Sequence, residues 1–440
     1  MSDATTAAPA TPDAPVTPVS GKERHVSMDV LRGVAIFGIL VMNIYGFAMP
    51  FSAYANPTLM GGTDPLNLGI WFFTHIFFDQ KFLAIFSILY GAGIVLLYER
   101  ALAKGRGVGG LFYRRSFWLL LIGLAHGAFL WFGDILFAYA FTGMIIFLFR
   151  KRSPKALLII AFFWFSVAPL LSYGGGFAMK GLEMQVIALE SRQAEGEELN
   201  EEELAMIEQW VQSRAFMAPT PEDVQKDVDA YRGSYSDAFS YRNPMVQGFQ
   251  IQGTLFFVLW RAGGLMLLGM ALMKLGVLQA QRSDRFYRNL MLAGYGLGLP
   301  VMAASSYLIY TIQWDGLSMF QFGLTPNYYG SVLVALGHIG LVMTLVRSGA
   351  LDALVSRFAA VGRMAFTNYL THSIVMTTIF YGYGLNLYTE IPRVGQMFFV
   401  LGLIGLQLLY SPWWLARFHF GPAEWLWRSL TYWKVQPMSR

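Results

Sequence analysis

From about residue 29 onward, apolar side chains come in runs of about twenty, broken by short polar stretches. They show neither the strict alternation of a half-buried strand nor the single stripe of a surface helix. A helix crosses the ~30 Å hydrocarbon core of a bilayer in about 20 residues, so runs of this length predict membrane spans. Ten are expected, at approximately 29–49, 68–98, 112–131, 134–149, 156–173, 248–273, 289–312, 328–346, 364–385 and 395–416. The second is too long for one straight helix and carries Asp79-Gln80-Lys81 within it, which predicts a half-helix followed by a full span. The third and fourth are joined only by Trp131 to Asp134 and must be antiparallel neighbours. The expected fold is an all-α polytopic membrane protein of about ten transmembrane helices, one interrupted near residues 79–81, with an external helical insert.

Composition narrows the classes further. The 440 residues are 55% hydrophobic and 13% charged, against roughly 25% charged in soluble domains. An aromatic content of 16% excludes disorder for most of the chain, and the absence of cysteine excludes a disulfide framework and thiolate metal sites. No metal is expected. The net charge of +5 does not point to nucleic acid, because the basic residues sit in loops.

Their placement sets an orientation. With the N-terminus inside, the segments on that side hold 23 of the 32 Lys and Arg, and the four short external connections hold only Arg393. Both termini are therefore expected in the cytoplasm, with the protein multi-pass in the inner membrane. The chain divides into a disordered tail at 1–26, a five-helix half at 27–173, an extracytoplasmic insert at 174–247, a second five-helix half at 248–416 and an amphipathic tail at 417–440. The tail is rich in Ala, Pro and Thr, and the first apolar run reads as a retained helix rather than a cleaved signal. In the insert, Glu201 to Glu203 leading into Leu204, Ile207 and Val211 predict a solvated amphipathic helix pair without a catalytic role.

Two basic residues remain at membrane depth. Burying a charge there costs about 2.5–3.5 kcal/mol even on a lenient insertion scale. Arg261 lies 13 residues into its span, roughly 20 Å along the axis, too deep to reach either surface easily. It reads as an anion-binding arginine, with a structural ion pair as the ordinary alternative. Lys81 at the helix break reads equally as an interfacial partner of Asp79 or as part of a polar pocket, since irregular backbone at depth lines protein or water.

Four histidines lie in spans, His75, His126, His338 and His372; each reads first as a hydrogen-bonded structural group, and His126 has the stronger case as a base. It precedes the tight turn to Asp134, so imidazole and carboxyl reach the same end of neighbouring helices, as a general base requires. Asp29 and Arg32 form an i, i+3 pair at the start of the first helix, and Asn43 is an amide that must find partners further in. Asn368 and His372 share a face and read as interhelical hydrogen-bonding groups. The glycine pairs follow no strand, and neither a zinc-protease nor a serine-hydrolase elbow motif occurs.

Several of these residues stand in longer motifs. The stretch from Arg24 to Asn43 with Asp29, Arg32, Gly33 and Gly38 is followed by Lys81-Phe82, Phe86-Ser87 and Tyr90-Gly91-Ala92-Gly93. His126-Gly127, Gly133-Asp134-Ile135-Leu136 and Tyr139 come next, then Gly362-Arg363-Met364-Ala365 and Thr367-Asn368-Tyr369-Leu370. The set ends on Gly421-Pro422-Ala423-Glu424-Trp425-Leu426-Trp427-Arg428 with Leu430-Thr431-Tyr432. Together they resemble the YeiB-type bacterial inner-membrane proteins, a family named for domain of unknown function 418.

That family resembles in turn a wider group of transmembrane acyltransferases, including the heparan-glucosaminide acetyltransferase and acyltransferase-3 families. The resemblance implies an acyl group taken from cytoplasmic acyl-CoA, acetyl-CoA foremost, and passed to an acceptor on the far side. Acyltransferase-3 proteins carry arginine, ten residues and a catalytic histidine in the first helix; the matching positions here are Arg32 and Asn43. Heparan acetyltransferase also has asparagine there and uses a histidine beyond the first helix, whereas residues 44–74 here contain none. The expected mechanism has His126, supported by Asp134, as base, Asn43 or Lys81 at the thioester oxyanion, and Arg32 and Arg261 on the donor phosphates.

The alternatives are a secondary transporter of a small anionic solute, for which the break at 79–81 would be half of an inverted repeat, and a sensor or assembly factor acting through the insert. The expected partners are the bilayer, the small-molecule donor and an unknown acceptor, with a second copy of the chain left open.

Overall fold

The computed structural model describes residues 25–217 and 219–440. The predicted tail at 1–26 therefore lies, but for its last two residues, outside the described part. Among the described residues the chain is helical throughout, with one isolated β-bridge between Phe418 and Ser439. Seven helical stretches are long and apolar enough to cross a membrane.

The first, α1 (Val26–Ala48), is buried along almost its whole length. It is apolar on every face, and such a helix must be surrounded. Its neighbours are α4 (Lys81–Ala103), α15 (Asp352–Arg363), α16 (Ala365–Phe380) and α17 (Arg393–Arg417). Small residues set the distances. A Cβ on Gly362 would lie 1.8 Å from the Asp29 carbonyl oxygen, and one on Gly33 would lie 2.1 Å from that of Phe358, so α1 and α15 touch backbone to backbone. Gly362→Ala is expected to push α15 off α1, at a cost on the order of 1–3 kcal/mol for overpacking, read as a lower melting temperature of the purified protein.

The second stretch is broken as the polar triplet predicts. A short α2 (Ser52–Ala55) precedes α3 (Pro65–Phe77), which starts on an Asp64 cap accepting from the Leu66 and Asn67 amides. The chain then turns through Gln80, at φ 66°, into α4. The turn sends the Asp79 amide to the Thr74 carbonyl, and Lys81 Nζ donates to the His75 carbonyl instead, at 2.7 Å. The lysine thus caps the end of α3, where the helix dipole favours a cation.

Of the other expected spans, α5 (Gly109–Phe129) and α6 (Leu136–Ile146, extended by a 3-10 turn over Phe147–Phe149) form the tight hairpin. Helix α7 (Pro154–Ala194) runs for 41 residues, about 60 Å, far beyond the predicted end at 173. The glycines at 174–176 do not stop it, because Gly176 packs directly on Gln321, and tertiary contact outweighs local propensity. The insert continues with α8 (Glu201–Met217), α9 (Pro221–Arg232) and α10 (Tyr235–Gly248), the last two each opened by a capping box. A wide π-helical stretch, Phe249–Val258, leads into α11 (Leu259–Lys274). Then come α12 (Asp284–Thr311), the single turn α13 (Gly316–Ser318), α14 (Thr325–Ser348), α15, α16, α17 and α18 (Pro422–Tyr432). Helix α16, with 16 residues, is short for a span.

The bundle has two distinct ends. At the basic end, Lys274 donates to the carbonyls of Arg150 and Arg152, Arg347 pairs with Asp284, and the Trp427 indole of α18 donates to the Arg115 carbonyl. At the other end the second half of the insert is not solvated but closes the bundle. The fully buried Arg242 donates to the carbonyls of Ala128 and Leu130 at the end of α5, and Arg232 pairs with Glu390 in the loop before α17. Tyr231, Ala238 and Val246 join Phe47, Trp131, Tyr381 and Tyr388 in one apolar cluster.

The Tyr388 hydroxyl donates to Asp227 at 2.6 Å, and burial raises this carboxyl to about 6. A carboxyl whose folded-state value is raised stabilises docking below its ordinary range, and that contribution is lost as the pH rises through about 6. Protection factors for amide exchange in 221–232 and 381–392, corrected for the intrinsic rate at each pH, are therefore expected to be higher near pH 5 than near pH 7, and Asp227→Asn is expected to remove that difference.

Candidate functional site

The tight hairpin and α16 bring together a chain of three side chains. Asp134, just ahead of α6, accepts from the Phe137 amide through Oδ2 at 2.9 Å, as a residue at a helix start does. Its Oδ1 meets His126 Nδ1 at 2.9 Å, and His126 Nε2 meets Ser373 Oγ at 2.8 Å. All three are buried; Asp134 and His126 have side chains at most 1% exposed. A carboxylate beside Nδ1 selects the imidazole tautomer with its proton there, leaving Nε2 as acceptor for the serine hydroxyl. The Tyr369 ring packs 5.1 Å from the imidazole, and its hydroxyl donates to the Gly133 carbonyl at 3.3 Å.

On the basic side of Tyr369 lies a cavity of about 300 Å³. Its mouth carries five arginines, Arg32, Arg100, Arg115, Arg363 and Arg428, against the carboxyls of Asp29 and Glu424. Arg32 pairs with Asp29 at 2.7 Å, and Arg115 stacks on Trp427 at 4.0 Å. Glu424 is spent on the start of α16, accepting from the Phe366 and Thr367 amides and the Thr367 hydroxyl, and burial raises its carboxyl above the ordinary range. The positive charge is thus in excess. The inner walls are apolar and aromatic, from Phe86, Leu89, Tyr90, Ile94, Leu136 and Tyr139, with Tyr369 at the far side. A cavity with a cationic mouth and an apolar floor accepts an anionic group bearing a greasy arm; at this volume a nucleotide end would remain outside.

The other residues singled out by sequence lie apart from this pair of features. Lys81 donates to Asn327 as well as to the His75 carbonyl, and Asp79 accepts from Asn327 at 2.6 Å and from Tyr54 at 2.5 Å. With His75 Nδ1 3.4 Å from Asp79 Oδ2, they make the helix break a buried polar knot, in which His75 Nε2 has no hydrogen-bond partner among the described residues. Arg261 donates to the Tyr328 carbonyl and to Ser331 Oγ and lies 4.6 Å over the Tyr328 ring, outside the lining of the cavity. Asn43 is half-buried on α1 and enters none of the hydrogen bonds of the His126 chain. Asn368 and His372 do bridge helices, to Ser411 and Gln407 of α17. The sequence reading missed Ser373, Tyr369, Arg115, Arg428 and Glu424 as site residues. Its one available signal was that Tyr369 and Ser373 share the face of α16 on which any partner of His126 would have to sit.

Fold and cavity together define the class: a polytopic helical membrane protein with a cationic, apolar-floored recess at one end. A family model described as a protein of unknown function (DUF418) matches residues 272–434. The chain is 30% identical over 413 residues to uncharacterized protein YeiB of Escherichia coli K12, covering 93% of this chain and 96% of that one. It is 32% identical over 438 residues to uncharacterized protein YxaH of Bacillus subtilis 168, covering 96% and 98%. A 39.9 kDa protein in the amylase 3' region of Bacillus acidopullulyticus matches at 24% over 415 residues. The chain belongs to the YeiB-like DUF418 family.

Proposed function

We propose that this protein is a membrane acyltransferase that takes an acyl group from acyl-CoA at the basic end and passes it to an acceptor reached from the other side. The observation that carries the reading is the adjacency just described: a cavity fit for a phosphate-bearing thioester, separated by one tyrosine from a histidine oriented by a carboxylate. In this reading the basic end faces the cytoplasm of a bacterial inner membrane, where acyl-CoA is available. The arginines of the mouth, Arg32 among them, hold the donor phosphates, the pantetheine arm enters along the apolar wall, and His126 with Asp134 moves the proton. The thioester oxygen gains negative charge as the carbonyl is attacked. Of the two expected donors to it, Asn43 or Lys81, Asn43 is the one proposed, because Lys81 is held at the helix break by the His75 carbonyl and Asn327. Arg261 fixes α14 against α11 and is not assigned to the donor in this reading.

The test is a thermal-shift series on the detergent-purified full chain with CoA, acetyl-CoA and long-chain acyl-CoA. A ligand that binds only the folded state raises the melting temperature by an amount that grows with the logarithm of its concentration over its dissociation constant, so stabilisation by CoA species that adenosine alone does not reproduce is the expected result. No stabilisation by any of them overturns the reading. The transporter reading retains one supporting feature, the broken helix at Phe78–Gln80 with its carboxylate and ammonium, and counterflow of a small anion in vesicles is its test.

A further inference from the structure

Serine and threonine hydroxyls on membrane helices usually fold back onto the carbonyl three or four residues earlier. Helix α16 shows this habit repeatedly: Thr371 donates to the Thr367 carbonyl at 2.9 Å, and Thr378 and Thr377 both donate to that of Ile374. Ser373, fully buried among them, instead lies 2.8 Å from His126 Nε2. The imidazole is oriented in turn by Asp134 at 2.9 Å, and Asp134 by the Phe137 amide. Nucleophile, base and orienting carboxylate thus stand in hydrogen-bond order, which is the geometry that activates a hydroxyl. The serine sits one helical turn, about 5–6 Å along the axis, from Tyr369, the residue that closes the cavity on this side.

Resting on the acyl-transfer reading, we propose that Ser373 is a covalent acyl carrier. In the first half-reaction Ser373 Oγ attacks the thioester carbonyl carbon, its proton passes to His126 Nε2, the C–S bond breaks, and the CoA sulfur takes that proton and leaves as the thiol. In the second, an acceptor hydroxyl or amine gives its proton to His126 and attacks the seryl ester. The bond to Oγ breaks, and Oγ recovers the proton. Atoms and charge balance without a further reagent. The carrier explains how a relay standing between the cavity and the capped end serves two substrates that approach from opposite sides, since the donor product can depart before the acceptor arrives.

The experiment incubates the full-length protein with radiolabelled acetyl-CoA or palmitoyl-CoA, denatures it and follows the label. Label retained on wild type in the peptide spanning Ser373, absent from Ser373→Ala, supports the proposal. So does label on Ser373→Cys that neutral hydroxylamine releases, because a cysteine carrier forms a thioester and the serine ester resists that reagent. Ser373→Ala that folds, shows the wild-type CoA thermal shift and transfers acyl groups at the wild-type rate overturns the carrier while leaving acyl transfer intact. If Ser373→Ala does not fold, Ser373→Cys decides: a folded, CoA-binding cysteine variant without hydroxylamine-labile label overturns it. Absence of any CoA-dependent thermal shift in wild type overturns the acyl-transfer reading itself, and the carrier with it.

Discussion

His126→Ala is expected to lower acyl transfer by about 10²–10⁴-fold, the range that positioned acid–base groups contribute, while the protein still folds and still binds CoA. The two halves of that expectation have separate causes. Catalytically, His126 is, among the described residues, the group bonded to both Asp134 and Ser373, so its loss leaves the hydroxyl without a base and the carboxylate without its imidazole. Structurally, interhelical hydrogen bonds in membranes are worth about 0.6 kcal/mol on average and at most roughly 1.7, because the unfolded chain in lipid finds other partners. The bundle around them is held by much larger packing, α1 alone being enclosed on all sides. Asp134→Asn should lower transfer by a comparable factor, since an amide that donates to Nδ1 turns the proton toward Nε2 and blocks the serine. The comparison is made by initial rates at saturating donor beside melting curves for both variants. A His126→Ala protein with wild-type rates removes this residue from the chemistry.

The parts of the molecule legible in its sequence are those set by one-dimensional rules. Span length and polarity gave helices, the triplet Asp79-Gln80-Lys81 gave a break within two residues of the observed one, and the short connection from Trp131 to Asp134 gave a hairpin with the imidazole and carboxyl at one end. What escaped depends on contacts distant in the chain. Ser373 lies 247 residues from His126, and nothing local distinguishes it from the helix-bound hydroxyls beside it. The charges at depth escaped for a different reason. Lys81 and Arg261 each find one main-chain carbonyl, of His75 and Tyr328, and one side chain, of Asn327 and Ser331, and a sequence does not show which partners the packing brings to a charge at depth. The acidity of α8 points to a solvated insert, yet Tyr231, Ala238 and Val246 further on carry the apolar face that seals the end of the bundle.

Removing charge from the cavity mouth is expected to weaken donor binding more than any other surface change. A charge-assisted hydrogen bond contributes roughly 1.5–3 kcal/mol, so Arg428→Ala should raise the dissociation constant for CoA by about 10- to 100-fold. Arg428 and Arg32 come from α18 and α1, on different elements of the lining, and to the extent that their effects add, the double variant should lose about 10²–10⁴-fold. Arg428→Glu should exceed Arg428→Ala, because it places a carboxylate where the phosphate would sit. The number of arginines matters as well as their identity: with five around the mouth and Glu424 engaged at the start of α16, wild-type binding should weaken steeply with added salt, and less steeply as each arginine is removed. Arg347→Ala provides the control at the same end, since that guanidinium pairs with Asp284 and lies outside the lining, and its loss should leave both the affinity and its salt dependence unchanged. Titration calorimetry of each purified variant with CoA at two ionic strengths measures all of these quantities. Equal affinities for wild type and Arg32→Ala/Arg428→Ala would place the donor elsewhere on the protein.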